Sequence, residues 1–195
     1  YNQAQRVRTL IARDFDEAVA EEAGRRAAAM DDAARKALAD AITMGLPGST
    51  ETMSMEDVRE HLAGYGAISA EKLRAHFVDF LEQVVPVAEE IGVRLCCHPD
   101  DPPFSLLGLP RIMSTTGDYA AMLDAVDSPA NGMTLCSGSL GARPDNDLPA
   151  MMERFGPKVH FLHLRNVKRE SDALAGSFFE AEHLEGDTDM VRLIA

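Results

Sequence analysis

The sequence lacks any run of about eighteen apolar residues, the length that a membrane-spanning helix needs. Its first ten residues, YNQAQRVRTL, also lack the apolar core of a secretory signal. Nothing in the sequence therefore directs the chain into or across a membrane. We expect a cytoplasmic protein that has no membrane partner.

Cysteine is scarce, with three residues in the whole chain: Cys96, Cys97 and Cys136. Cys96 and Cys97 are adjacent, and adjacent cysteines are poorly placed to pair with each other. A disulfide framework is therefore a poor interpretation of this sequence. Free thiols suit a reducing compartment, which agrees with the expected cytoplasmic location.

Basic residues are also in short supply, since 19 Lys and Arg stand against 32 Asp and Glu, for a formal net charge of -13 at pH 7. The average field of such a chain repels polyanions, so we expect no nucleic-acid partner. A small anionic ligand is still compatible with this composition. A local cluster of arginine, histidine and a metal ion sets the field of a cleft, whatever the overall charge.

The residues that are present suffice for one globular domain, because 46% of the 195 are hydrophobic. We therefore predict a single domain, 1–195, that is mainly helical over 1–91. Apolar residues at helical spacing predict long surface helices over 3–43, and they are Val7, Leu10, Ile11, Phe15 and Val19. The pattern breaks at 45–48 and again at 64–66, and a second long helix is predicted after Ser69, a plausible N-cap.

From Gly92 onward, short apolar runs alternate with amphipathic stretches. The predicted strands are 93–97, 133–136, 159–164 and 177–180, and the predicted helices are 119–126, 148–155 and 190–194. Alternation of this kind is typical of βα units in an α/β fold with a parallel sheet. We therefore predict βα units over 92–195.

Three residues that often bind metals stand where predicted strands end. His98 follows the first strand, while Cys136 and His163 close the next two. The ends of parallel strands meet at one edge of a sheet, so these side chains are expected to lie together. A His/Cys/His set suits a divalent first-row metal and leaves coordination positions open for catalysis. The alternative, that each residue merely packs in the core, stays open at this point.

The loops after these strands supply candidate substrate-binding residues. Asp101 lies in a proline-stiffened loop and is expected to orient an imidazole or bind a substrate hydroxyl. Ser139 lies in the glycine-rich stretch SGSLGAR, whose backbone donors suit an anion, although an ordinary turn is the alternative. Arg165 and Asn166 follow His163 directly and are placed to bind a carboxylate and a hydroxyl.

One further histidine is a candidate catalytic residue. His183 lies in a polar segment, EHLEGD, just after the last predicted strand. A histidine in such a place is suited to donate a proton or to hold a substrate. We therefore predict a catalytic role for His183.

Four stretches of the sequence resemble segments of the D-mannonate dehydratase family, in the same order and at similar spacing. They are CHPDDPPFSLLGLPRI, LCSGSLGARPDND, HFLHLRNVKRE and FFEAEHLEGDTDM. The resemblance is densest over 92–191, while the preceding helices are similar only in general character. It implies a TIM barrel that binds Mn²⁺ or Fe²⁺ through His98, Cys136 and His163.

The resemblance also implies an activity, the removal of water from D-mannonate to give 2-keto-3-deoxy-D-gluconate in hexuronate breakdown. In such a reaction a base takes the proton on the carbon next to the carboxylate, and an acid assists departure of the neighbouring hydroxyl. A sugar acid is then the expected small-molecule partner, and a homo-oligomer is the family-level expectation.

The sequence departs from the family pattern in two respects. Family members are longer, with early barrel strands and a late segment resembling Arg-Pro-Asp-His-Gly, whose Asp and His supply a further metal ligand and an acid/base. Neither feature occurs in this sequence. A TIM barrel takes about 250 residues, so we expect a partial (β/α)8 barrel with long helices in its N-terminal half, and a sequence that is a fragment.

Two other functions are compatible with these departures. One is a non-catalytic fragment or remnant that binds a metal or a sugar acid without turnover. The other is a related barrel sugar isomerase, which also uses a divalent metal and an enediolate intermediate.

Overall fold

The computed structural model describes residues 17–43, 53–66, 68–174 and 176–195. The chain divides into two compact units, one formed by Tyr1–Ile68 with Leu106–Leu109 and the other by Ser69–Ser105 with Pro110–Ala195. Several residues of the sequence predictions lie outside the described part, namely Val7, Leu10, Ile11, Phe15, the side chain of Val19 and the break at 45–48. One domain spanning 1–195 stays a prediction.

The described part of the first unit contains three helices, as the sequence predicts for this half. They are α1 (Glu17–Ala29), α2 (Asp32–Thr43) and α3 (Met55–Gly64). Ser54 caps α3, since its side chain accepts a hydrogen bond from Asp57 N at 3.1 Å. The Asp57 carboxylate in turn accepts one from Ser54 N at 2.7 Å, which completes a capping box.

The second unit opens with a long helix, α4 (Ala70–Glu90). It begins at the predicted cap, Ser69, whose side chain accepts a hydrogen bond from Lys72 N at 3.2 Å. One face of α4 is buried through Leu81, Val85 and Ala88. Burial of this face joins the helix to the core of the second unit.

A parallel sheet of three strands follows, in the order β1 (Leu95–Cys97), β2 (Asn131–Cys136) and β3 (Val159–His163). Helix α5 (Thr116–Ala125) separates β1 from β2 in the sequence. The predicted α/β class with a parallel sheet is therefore confirmed. Because the strands are parallel and adjacent, their C-terminal ends lie at one edge, where the candidate metal ligands were predicted.

Strand β2 forms the centre of the core, because it lies between its two neighbours and is buried along its whole length. Met133 and Leu135 have no exposed surface and belong to the same apolar cluster as Tyr119 of α5. Burial of a large apolar side chain contributes about 1.5–3 kcal/mol to the free energy of unfolding. Packing in this cluster therefore stabilises the position of β2.

Two elements differ from the sequence prediction. The stretch after β2 is a short helix, α6 (Ser137–Gly141), and the loop after β3 runs into a strand that the apolar pattern did not predict, β4 (Asn166–Arg169). Strand β4 pairs antiparallel with β5 (Phe178–Ala181), which lies where a strand was predicted. Only two residues of β4 are buried, so its sequence lacks a strong apolar run.

The remaining helices agree with the sequence prediction. They are α7 (Leu148–Phe155), which precedes β3, and α8 (Met190–Ile194). Among the helices of the described residues, none is both long enough and apolar enough to cross a bilayer.

Candidate metal centre

The structure brings together the three residues predicted as metal ligands. One ligand atom each from His98, Cys136 and His163 lies within 4.8 Å of the other two. Cys136 Sγ is 3.4 Å from His163 Nδ1, and His98 Nε2 is 3.3 Å from the same nitrogen. The imidazoles are exposed while Cys136 is buried, so the cluster opens to solvent on the imidazole side.

The backbone sets the orientation of the His98 ring. His98 Nδ1 lies 2.8 Å from the carbonyl oxygen of Pro99. A carbonyl oxygen can only accept, so Nδ1 carries the proton and Nε2 presents its lone pair to the cluster. A backbone partner of this kind is a common way to orient a metal-binding histidine.

The donor set fits a divalent metal ion. Ligand atoms that share a cation at about 2.0–2.3 Å from each lie about 3–4 Å apart. Two of the three separations in this cluster, 3.3 and 3.4 Å, match this spacing, and the third is within 4.8 Å. Two imidazoles and a thiol form a borderline-soft set suited to first-row metals. Three protein ligands also leave coordination positions for a substrate or for a further side chain.

A buried serine holds the Cys136 sulfur. The Ser139 backbone N–H donates to Cys136 Sγ at 3.4 Å, and the Ser139 hydroxyl oxygen lies 3.2 Å from the same sulfur. The Ser139 hydroxyl also donates to Asp101 Oδ2 at 3.1 Å. Since Ser139 has no exposed surface, its contacts are with the cluster rather than with solvent.

Arg165 continues this chain of contacts toward the surface. Its Nη1 donates to Asp101 Oδ2 at 2.6 Å, and its Nη2 forms an ion pair with Glu180 Oε1 at 2.7 Å. Burial lowers the pKa of Arg165, but the hydrogen bond and charge of Asp101 and the charge of Glu180 outweigh burial and raise it. Arg165 is therefore a permanent cation beside the cluster.

Asn166 is buried and makes four hydrogen bonds within the protein. Its Nδ2 donates to the carbonyls of His183 and Thr188 at 2.8 and 2.9 Å. Its Oδ1 accepts from the backbone N–H of Val167 and Thr188 at 3.0 and 3.1 Å. Both amide protons and both oxygen lone pairs are thus used, so in this arrangement Asn166 joins β4 to the segment that carries His183.

His183 lies outside the cluster of three ligands, on that anchored segment. Its Nε2 is 2.9 Å from the carbonyl oxygen of Leu164, the residue after His163. Because the carbonyl can only accept, Nε2 carries the proton and Nδ1 of the neutral ring is left as a proton acceptor. His183 is thereby held next to the backbone that directly follows His163.

Two side chains of this region were given no site role by the sequence prediction. The Ser137 hydroxyl accepts from Arg165 N at 3.1 Å and donates to Arg165 O at 2.6 Å, so it holds the backbone just after His163. Glu180 had been placed on a strand and given no further role. The position of Ser137 directly after Cys136 could have indicated a role at the site, whereas nothing in the sequence around the exposed Glu180 indicated one.

The two remaining cysteines are not part of the cluster. Burial, with the nearby charges of Asp100 and Cys96, raises the pKa of the Cys97 thiol to about 11. At neutral pH this thiol stays protonated. Its sulfur hydrogen-bonds the His98 carbonyl at 3.4 Å, and we assign it to packing.

Comparison with known proteins agrees with the resemblance seen in the sequence. Residues 6–195 match the family model described as D-mannonate dehydratase (UxuA). The mannonate dehydratase of Rhizobium meliloti is 57% identical over 182 residues, and mannonate dehydratase 1 of Agrobacterium fabrum is 53% identical over 182 residues. Each of these alignments covers 93% of this chain and 45% of the relative.

A solved structure gives the same result. The crystal structure of mannonate dehydratase from Streptococcus suis serotype 2 matches with a TM-score of 0.64 and 36% sequence identity. The match covers 76% of this chain and 42% of the other. The chain thus spans somewhat less than half the length of the relatives that it matches.

Proposed function

The chain belongs to the D-mannonate dehydratase family, and from this we propose that the protein removes water from D-mannonate to give 2-keto-3-deoxy-D-gluconate. The observation that carries the proposal is the convergence of His98, Cys136 and His163 at the ends of adjacent strands. Family membership supplies the reaction, and the cluster supplies a place where it can occur.

We propose that the protein uses Mn²⁺ or Fe²⁺, held by His98 Nε2, Cys136 Sγ and His163 Nδ1. A divalent cation supplies positive charge that polarises a substrate oxygen and stabilises the negative charge that develops beside the carboxylate. The protein contributes the fixed placement of the ligand atoms. The carbonyl of Pro99 orients His98, and Ser139 orients the sulfur of Cys136.

Arg165 is the proposed site for the substrate carboxylate. Its guanidinium is a planar cation whose paired N–H groups match a carboxylate. Through Asp101 and Ser139 it is connected to the sulfur of Cys136, so a carboxylate at Arg165 lies beside the metal ligands. The predicted substrate-binding roles of Asp101, for a hydroxyl, and of Ser139, for an anion, become in this proposal the orientation of Arg165 and of the sulfur.

His183 is the proposed proton-transfer residue. Since its Nε2 proton is donated to Leu164 O, the neutral ring accepts a proton at Nδ1 and, once protonated, returns it. This gives His183 the chemistry of either the base at the carbon next to the carboxylate or the acid at the departing hydroxyl. Asn166 places His183 by holding its carbonyl at 2.8 Å rather than by touching the substrate.

The fold, location and partners complete the proposal. The parallel sheet and its helices are proposed to be part of a (β/α)8 barrel, in which catalytic groups collect at the C-terminal ends of strands. The protein is proposed to be cytoplasmic and a homo-oligomer, with a small sugar acid as its partner. The net charge of -13 argues against nucleic acid as a partner.

The proposal is tested by incubating the purified protein with Mn²⁺ and D-mannonate and following the products by NMR. We expect a 2-keto acid that has lost one water, and loss of the activity when a chelator removes the metal. Metal analysis of the same sample establishes that the site is loaded. A sample that holds its metal and forms no 2-keto acid contradicts the proposal, and an isomerised sugar as product identifies an isomerase instead.

A further inference from the structure

We propose that Glu180 is a resident counter-ion of Arg165 that an acidic ligand must displace, so that this ion pair tunes the affinity of the site for carboxylates. The inference rests on the proposed function for two points, the sugar-acid class of the ligand and Arg165 as the site of its carboxylate. Its physical basis is the way in which two carboxylates share one guanidinium.

The position of the Arg165 side chain is set by a glycine of α6. A Cβ built on Gly138 would overlap Cγ, Cδ and Nε of Arg165. The stem of Arg165 therefore passes directly over the backbone at Gly138, where a larger residue would not fit. The backbone at Gly138 supports the stem, and Nη1 and Nη2 of the guanidinium reach Asp101 and Glu180.

The two carboxylates are held to different degrees. Asp101 has a side chain that is 36% exposed, and its Oδ2 accepts hydrogen bonds from both Arg165 and Ser139. Glu180 has a side chain that is 68% exposed, and within the described part of the chain Arg165 is its one ion-pair partner. Glu180 is thus the carboxylate that returns to water at the lower cost.

The charges of this group explain why Glu180 must leave. One guanidinium and two carboxylates carry a net charge of -1, so a third carboxylate would be repelled while both residents stay. Release of Glu180 into solvent leaves Arg165 and Asp101 with no net charge, and it frees Nη2 of Arg165 for the carboxylate of the ligand. The exchange replaces one carboxylate by another, so the Glu180 ion pair subtracts from the affinity that Arg165 provides.

This arrangement affects acidic and neutral ligands differently. A sugar acid gains Arg165 only by displacing Glu180, whereas a polyol without a carboxylate leaves the ion pair in place. Loss of the Glu180 charge should therefore strengthen the binding of acids alone. An exposed ion pair is weak, so we expect a change of about two- to five-fold in affinity.

The test compares Glu180→Gln with the wild type and with Glu185→Gln. The control removes the same charge from an exposed glutamate of the neighbouring segment. In the Mn²⁺-loaded protein we expect Glu180→Gln to lower the Kd of D-gluconate, measured by calorimetry, and the KM of D-mannonate about two- to five-fold. The Kd of D-mannitol, a neutral polyol, should not change, and Glu185→Gln should resemble the wild type. Glu180→Asp, with a shorter carboxylate, should give an intermediate Kd.

The outcomes separate this inference from the proposed function. If a 2-keto acid forms but Glu180→Gln binds acids no more tightly than Glu185→Gln, or more weakly than the wild type, the inference is wrong and the function stands. If no 2-keto acid forms but acids bind more tightly to Glu180→Gln, the function is wrong and the inference stands. Failure of both acids to bind to any of the proteins overturns both.

Discussion

Cys136 Sγ lies 3.4 Å from His163 Nδ1, although the two residues belong to different strands. Their Cα atoms are partners in the parallel register of β2 and β3. His98 follows β1, the other neighbour of β2, and its Nε2 reaches the same nitrogen. The approach of these three candidate metal ligands is therefore a direct consequence of strand order, and each can be tested in turn.

Replacement of Cys136 by serine should remove a metal ligand. We expect Cys136→Ser to bind Mn²⁺ at least ten-fold more weakly than the wild type, a loss no smaller than that caused by removing an outer partner of a metal ligand. Calorimetric titration with Mn²⁺ measures the affinity. Cys96→Ser is the matched control, because Cys96 is exposed and lies outside the cluster. Equal metal affinity in the two variants would show that Cys136 is not a metal ligand.

Replacement of Ser139 by alanine tests the residue that orients the sulfur. The variant keeps the backbone N–H contact but loses the hydroxyl that links Cys136 to Asp101. We expect a metal affinity about ten-fold lower, the lower end of the range for loss of such a partner. The thiolate-to-metal absorption of the Co²⁺-loaded protein should persist, since the sulfur itself remains. An unchanged affinity would show that the hydroxyl has no influence on the metal.

Replacement of Gly186 by alanine tests the anchor of the segment that carries His183. A Cβ at this position would overlap the side chain of Asn166, which is buried and fully hydrogen-bonded. We expect Gly186→Ala to lower the free energy of unfolding by about 1–3 kcal/mol. Gly24→Ala is the control, because nothing lies within 4 Å of its added Cβ in α1. That change should stabilise the helix by about 0.5–1 kcal/mol.

The Gly186 measurement is made by urea unfolding of both variants at neutral pH. Opposite signs for the two substitutions are the expected result. If Gly186→Ala is as stable as the wild type, the close packing of Gly186 against Asn166 does not support the segment.

Asp187 should make stability depend on pH in the acid range. Burial raises its pKa, but the hydrogen bonds of Lys168 and of the Arg169 backbone, with the charges of both side chains, outweigh burial and lower it. A carboxylate with a lowered pKa contributes stability that is complete above its unfolded pKa of about 3.9 and is lost as the pH falls through the folded value.

We therefore expect Asp187→Asn to be less stable than the wild type by about 1–2 kcal/mol at pH 7. The difference should shrink as the pH is lowered from about 4 and vanish at lower pH, because both proteins then lack the charge. Urea unfolding at a series of pH values measures it. A difference that is the same at pH 7 and pH 3 would mean that the charge of Asp187 is not its cause.

The sequence alone determined the strand ends and the three residues that stand on them. Apolar runs, caps and breaks are local properties, so α7 and β3 are found close to where the pattern placed them. The strand-end rule then selects His98, Cys136 and His163 from the sequence alone. The structure adds that their ligand atoms meet within 4.8 Å.

The partners of the polar side chains were decided by the tertiary structure. Arg165 contacts Glu180 and Asn166 contacts Thr188 only because β4 and β5 pair and return the chain to the same place. The sequence predicted that Arg165 and Asn166 lie near the site, but it could not tell an exposed ion pair from a buried, fully bonded amide. Burial and hydrogen bonding depend on which distant segment covers a residue, and local patterns carry no record of that.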